Sequence, residues 1–304
     1  MNKRITLYGY GYVGKAVYNF LKDQYDVDIY DPKFYREDGG LIKNPFTEVS
    51  DSLCETIGKS KERCYENEYA IVCVPTKMNE DGSCDTSIVE QVIRETNNSL
   101  YLIKSTIPPG TTERLAKKYN KQIVFSPEYI GEGKYEVPFW KDIPHPQDMK
   151  LHSFHIFGGD SHNTNLWINV WQKVAGWNAQ YYITDSTTAE MVKYAENAFL
   201  ATKKIYCDEL YEMCQAFGIN YNKVKPLWLL DGRINSSMTL IFPDNRGFKS
   251  KCLDKDMNAI IEASKKAGYE PKLLKEVLAS NDKFRNQKGR ISSTYSPNIE
   301  IKYK

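Results

Sequence analysis

No apolar run in this sequence reaches the roughly 20 residues that a membrane-spanning helix needs. No CxxC pair occurs, so a structural zinc site of the usual spacing is not expected. Neither sign of charge is in excess: 41 Lys and Arg against 39 Asp and Glu leave a net charge of +2, mixed along the chain. That removes the electrostatic footprint of a nucleic-acid or membrane-surface binder. The seven cysteines are odd in number and follow no framework spacing, which suits a reducing compartment such as the cytoplasm. The start, MNKRITLYGYGYVG, enters a strand-like pattern rather than a signal peptide. Histidine is scarce, and all four copies fall between His145 and His162. His152 and His155 have the spacing of a metal pair, but no further ligand at useful spacing accompanies them, so no metal is expected. No repeat of solenoid period is present either. A chain of 304 residues has room for two ordinary domains.

What is present begins with a nucleotide-binding pattern. A short β run at residues 4–8 leads into Gly9-Tyr10-Gly11-Tyr12-Val13-Gly14, then a helical pattern, then a second β run ending in Asp31. A lone GxGxxG is weak, but here strand, glycines, helix, strand and acid follow in order. Gly9 allows the tight turn, Gly11 the approach of a pyrophosphate, and Gly14 close packing of helix on strand. The helix N-terminus then receives the anion. Asp31 is placed to accept from ribose hydroxyls and would repel a 2′-phosphate, so NAD is expected rather than NADP. Further β runs at residues 69–74, 100–104, 122–125, 155–157 and 180–183 alternate with helical patterns. Polar groups gather at their C-terminal ends: Pro75-Thr76, Ser105-Thr106 and Ser126-Pro127-Glu128. In an open parallel sheet that edge binds ligands.

Residues 187–217 then read as one long amphipathic helix, with Val192, Ala195, Phe199, Tyr206, Leu210, Met213 and Phe217 sharing a face. Thr187 and Glu190 have capping-box spacing, and Gly218 supplies the stop. A rod of about 45 Å joins two bodies or packs on its copy in another subunit. Lys193 and Asn197 stand one turn apart on it. Beyond it come a short helix, a loop carrying Cys252, and two more helices before a polar tail. The boundaries predicted are a nucleotide-binding domain at 1–185, a helical domain at 186–285 and a tail at 286–304.

Seven stretches in order carry a family likeness: GYGYVG, VCVPT with DGSCD, IKSTIPPGTTE, FSPEYIGEG, AEMVKYAENAFLATK, LLDGRI and GFKSKCLDKD. The sequence resembles the UDP-glucose/GDP-mannose dehydrogenase family of nucleotide-sugar dehydrogenases across residues 4 to about 282. The resemblance implies an α/β fold: an N-terminal Rossmann-type doubly wound parallel sheet, a long connecting helix and a small all-α central domain that dimerises through that helix. It implies oxidation of a sugar C6 alcohol to a carboxylate with two NAD in succession. It implies Cys252 as nucleophile, Lys193 and Asn197 at the reacting carbon and substrate, and Asp256 with Thr106 around a water. Glu128 is then the base for thioester hydrolysis, Glu132 positions cofactor and substrate, Pro75 and Thr76 line the nicotinamide side, and Arg233 reaches a partner's sugar pocket.

Two departures stand out. Lys249 and Ser250 replace a glycine pair before the cysteine, and Asp254 replaces a proline after it. Side chains there are expected to narrow or reshape the pocket. The chain also stops about where the family has a further C-terminal domain, so a shortened member is expected. Two rival readings follow: a catalytically silent NAD-binding scaffold, and a two-electron dehydrogenase of the related β-hydroxyacid class.

Overall fold

The computed structural model describes residues 4–34, 67–130, 148–177, 179–250 and 252–286. The described residues fall into two compact units, those within 1–196 and 258–269, and those within 197–257 and from 270 to 286. The sequence also shows an amphipathic stretch from about Phe46 to Ile57 and a loop rich in proline and aromatics at 137–149; the first, most of the second, Glu132 and nearly all of the tail at 286–304 lie outside the described residues.

The first unit is built on a seven-stranded sheet in the order β2-β1-β3-β4-β5-β6-β7. The strands are β1 (Arg4–Tyr8), β2 (Asp26–Tyr30), β3 (Tyr69–Val72), β4 (Leu100–Ile103), β5 (Gln122–Phe125), β6 (Phe154–Gly158) and β7 (Gln180–Thr184). β1 to β5 run parallel, and β6 and β7 run parallel to each other, but β6 meets β5 antiparallel through Phe125 and Gly158. β3 and β4 are buried throughout, which is why they read as continuous apolar runs. The pleat sends Ile5, Leu7, Ile71 and Leu102 to one face, against Phe20 of α1 (Tyr12–Leu21) and Trp167 and Trp171 of α4 (Ser161–Ala175). Tyr8, Val72, Tyr101 and Ile103 go to the other face with Val89 and Ile93 of α2 (Ser87–Glu95) and Leu115 of α3 (Thr111–Tyr119). Helices on both faces make this a Rossmann-type doubly wound sheet.

The long helix is present as one element, α5 (Ser186–Ala216), about 46 Å long by its residue count. Its cap differs from the capping box read at Thr187. Asp185 is the cap: its Oδ1 accepts from the Thr188 backbone N–H at 2.8 Å and its Oδ2 from the Thr188 hydroxyl at 2.6 Å. Glu190, fully buried, caps a different helix. It accepts from Gly110 N–H (2.5 Å), Thr112 N–H (2.8 Å) and the Thr112 hydroxyl (2.6 Å) at the head of α3. Gly218 ends α5 as expected, at φ +66°, with Ile219 N–H returning to the Cys214 carbonyl.

The second unit packs Ala201 and Ile205 of α5 against Phe248, Leu253, Met257, Val277 and Phe284, the last two from α8 (Lys272–Asn286). Leu253 and Met257 belong to α7 (Leu253–Lys266), which follows the short α6 (Tyr221–Trp228). The apolar seam read from the sequence is not the packed face. Phe199, Tyr206, Met213 and Phe217 are 52 to 77 % exposed. The buried face instead carries Ala201, Ile205 and Cys207 with Lys204 and Asp208, which pair at 2.5 Å. A charged pair buried together mimics an apolar position, and periodicity alone misses that.

Candidate active site

The glycine loop has the geometry that its chemistry requires. Gly9 sits at φ +90°, and a side chain there would strike the Cys73 carbonyl at 2.7 Å. A Cβ on Gly14 would lie 2.1 Å from the Gly9 carbonyl oxygen, so only glycine lets α1 pack this close. Gly11 caps α1, a Cβ there would meet open space, and no side chain hydrogen-bonds to the cap among the described residues. The first turn of α1 therefore offers its N–H groups to an anion. Tyr12 is exposed, while Tyr10 and Val13 are half-buried. Asp31 accepts from Tyr10 N–H at 2.8 Å through Oδ2 and from Lys33 N–H at 3.0 Å through Oδ1, which fixes the carboxylate beside the loop. Open space before Gly11, uncapped N–H groups and an oriented acid are the features that suit a dinucleotide.

At the C-terminal ends of β3, β4 and β5 lies a charged cluster of the first unit. Lys193 from α5 is 5 % exposed, with its Nζ 3.6 Å from Glu128 Oε1, 3.0 Å from Glu196 Oε2 and 5.4 Å above the Tyr129 ring. Glu128 is also buried, and its Oε2 accepts from Ile130 N–H at 2.7 Å. Burial pushes the Tyr129 phenol up to about 12 and raises the Glu196 carboxyl. The Thr76 hydroxyl donates to the Thr106 carbonyl at 3.0 Å, which ties the two strand-end loops together. Thr106 and Thr76 are half-buried and Pro75 is exposed.

In the second unit Cys252 lies at the head of α7, where its carbonyl accepts from Asp256 N–H at 2.8 Å and its side chain is half-buried. Ser250 caps that helix, its hydroxyl accepting from Leu253 N–H at 2.8 Å. Asp256 is therefore one turn inside α7 and not its cap. At 2 % exposure it accepts from Asn197 Nδ2 at 2.6 Å and Lys255 Nζ at 2.5 Å. The approach to the loop is bolted from both sides. Asp208 accepts from Gly247 N–H (2.9 Å) and Arg246 Nε (3.4 Å), and the Asn281 side chain holds both the N–H and the carbonyl of Phe248.

The residues read from the sequence thus fall into two sets. Thr106, Glu128 and Lys193 lie in the first unit, and Asn197, Cys252 and Asp256 in the second. Arg233 stands apart, 88 % exposed and paired with Asp231. Lys104 went unnoticed. It directly follows the apolar strand β4 and is 3 % exposed, and a charge closing such a run was the available signal. His152 and His155 stack 6.3 Å apart at the ring centroids. His155 packs on Tyr181, and burial holds it down to about 3. No helix among the described residues is long and apolar enough to cross a membrane.

Two family profiles match the chain. One, for the UDP-glucose/GDP-mannose dehydrogenase family NAD binding domain, covers residues 47–142, and the other, for the central domain of the same family, covers 187–283. The chain is 30 % identical to UDP-glucose 6-dehydrogenase TuaD of Bacillus subtilis over 72 % of its own length and 47 % of that protein's. It is 29 % identical to UDP-glucose 6-dehydrogenase AglM of Haloferax volcanii over 71 % of its length and 53 % of that protein's. The chain therefore spans about half the length of these relatives. Among solved structures, a UDP-glucose dehydrogenase from Pyrobaculum islandicum superposes with a TM-score of 0.74 at 25 % identity, over 93 % of this chain and 68 % of that one. A 3-hydroxyisobutyrate dehydrogenase from Mycobacterium tuberculosis shares the fold, with a TM-score of 0.64 at 16 % identity, over 95 % of this chain and 96 % of that one.

Proposed function

Because the chain belongs to the UDP-glucose/GDP-mannose dehydrogenase family, we propose that it oxidises the C6 alcohol of a nucleotide sugar to the uronic acid with NAD. The observation that carries this reading is Lys193: a buried ammonium held at the strand ends by Glu128 and Glu196, where a solvated stripe would have left it in water. The glycine loop would hold NAD, which would supply the hydride acceptor, one NAD for each of the two oxidations in succession. A base removes the hydroxyl proton as the first hydride leaves. The Cys252 thiolate then adds to the aldehyde carbon, and loss of the second hydride turns the thiohemiacetal into a thioester. The end of α7 favours negative charge on that sulfur. Lys193 and Asn197 stabilise the oxyanion. Asp256 and Thr106 hold a water, and Glu128 takes its proton as it attacks the thioester, releasing acid and thiol. Glu132 and the Pro75-Thr76 edge serve the cofactor.

The exposed seam of Phe199, Tyr206, Met213 and Phe217 supports a homodimer formed through α5, with Arg233 offered to the partner's substrate. The reducing cytoplasm suits a reaction that needs a free thiol. The domain limits 1–185, 186–285 and 286–304 remain our reading of the chain's organisation. A second reading, two-electron oxidation of a hydroxyacid, draws on the fold shared over nearly the whole chain with the Mycobacterium protein.

Mass spectrometry of products after incubation with NAD and a panel of nucleotide sugars tests the proposal. Uronic acid and two NADH per sugar are expected, and Cys252→Ser abolishes the acid. NAD binding without turnover of any nucleotide sugar sinks the reading. A ketone or aldehyde product moves it to the hydroxyacid class.

A further inference from the structure

Lys104 is a buried cation that the reaction above leaves unused. Its Nζ donates to the Ser126 carbonyl at 3.3 Å, the Ser126 hydroxyl at 3.1 Å and the Pro127 carbonyl at 3.4 Å. These acceptors belong to the two residues directly before Glu128. The ammonium also lies 5.6 Å from the centroid of the Trp171 ring. Keeping an ammonium out of water is costly, and an apolar side chain of equal length would fill the same place with no desolvation penalty. What a methionine could not do is grip the two carbonyls that lead into Glu128.

The geometry points to Lys104 as a positioning residue, which pins the Ser126-Pro127 backbone and so aims the Glu128 carboxylate at the water that hydrolyses the thioester. This rests on the reaction proposed above. The charged and titratable groups facing Lys104 come from four directions. Cys73 follows β3, Glu128 follows β5, His155 comes from β6 and Lys193 from α5. Burial brings Lys104 down to about 8, with Cys73 and Glu128 opposing that shift and Lys193 adding to it. The grip is therefore charged below about pH 8 and weakens as pH rises through that value.

The test compares wild type with Lys104→Met in single turnovers, following the Cys252 adduct by mass. The variant is expected to form the thioester at the wild-type rate and to hydrolyse it about tenfold more slowly, so the adduct accumulates. Wild-type hydrolysis falls as pH rises through 8, whereas the variant's is flat between pH 7 and 9. A purely structural lysine would slow every step alike and leave the profile's shape unchanged, and that result overturns the inference. Should Lys104→Met fail to fold, Ser126→Ala removes one acceptor only. About threefold slower hydrolysis supports the idea, and an unchanged rate overturns it. A crystal structure of Lys104→Met needs no substrate. Loss of the 2.7 Å contact between Glu128 Oε2 and Ile130 N–H is expected, and its retention with Glu128 unmoved overturns the positioning role. If the wild type forms no acid yet Glu128 moves in the variant, the reaction is wrong and the positioning stands.

Discussion

Replacing His155 by phenylalanine removes a titratable group from the floor of the strand-end cluster while keeping an aromatic ring there. His155 is 6 % exposed, stacks on Tyr181 at 5.6 Å and leans on Phe20 at 6.1 Å. Its Nε2 finds no hydrogen-bond partner among the described residues, so phenylalanine forfeits nothing at that atom. Burial first, then the Lys104 ammonium and His152, hold its pKa from 6.5 down to about 3. An unfolded chain takes up this proton near pH 6.5, while the folded one refuses it until about pH 3. Between those values the unfolded state binds more protons, so stability drops as pH falls, by about 1.4 kcal/mol per unit. At pH 7.5 the imidazole is neutral in both states and the substitution is expected to be close to neutral. At pH 5 the wild type has lost about 2 kcal/mol that the variant keeps. Urea denaturation at pH 5, 6 and 7.5 measures the difference, with Trp167 and Trp171 in the core of the first unit as fluorescent reporters. If the gap between the two proteins is the same at pH 5 as at pH 7.5, the buried-neutral account of His155 is wrong.

Further predictions concern the glycine loop and the head of α3. Gly14→Ala puts a Cβ 2.1 Å from the Gly9 carbonyl oxygen, so α1 must retreat by about an ångström. Calorimetry should then show NAD affinity down at least about tenfold, together with a loss of stability. Gly11→Ala meets no protein atom, so it should lower NAD affinity with stability unchanged, and equal destabilisation by the two substitutions would contradict the assigned roles. Glu190→Ala leaves Gly110 N–H and Thr112 N–H at the head of α3 without their acceptor, at a cost of about 2 to 4 kcal/mol in chemical denaturation. Glu190→Gln should recover part of it, since one oxygen still accepts.

The strands and the glycine loop could be read from the chain because each is set by local rules. Short continuous apolar runs, as parallel strands buried on both faces require, and the strand–glycine–helix–acid order act over fewer than about 30 residues. The long helix was legible in extent for the same reason. Its buried face was not, because what Lys204 and Asp208 do depends on Arg246 and Gly247, nearly 40 residues downstream. The same holds for Glu190. Three residues after Thr187 it matches a capping box, yet its partners lie 78 to 80 residues earlier in the chain. Lys104 was not legible, since a charge at a strand end, followed by a serine and a threonine, looks solvated until Trp171 and Ser126 close over it.

The cysteine loop shows how a departure from a family pattern can be neutral for the backbone and still matter for chemistry. Replacing two glycines by Lys249 and Ser250 would be costly if either needed a left-handed conformation. Neither has one. The positive φ in this stretch belongs to Gly247, at +69°, where a Cβ would strike Asn281 Oδ1 at 2.5 Å. Ser250 adds a cap to α7 where glycine would have offered no side-chain oxygen. Asp254 takes the first turn of the same helix, a position that suits an acid as it suits a proline. What the loop gains is the exposed cation of Lys249, three residues before the thiol. The three substitutions therefore conserve the helix that follows Cys252 and change the charge and bulk beside the thiol, so under the proposed reaction their effect should appear in substrate choice and not in folding.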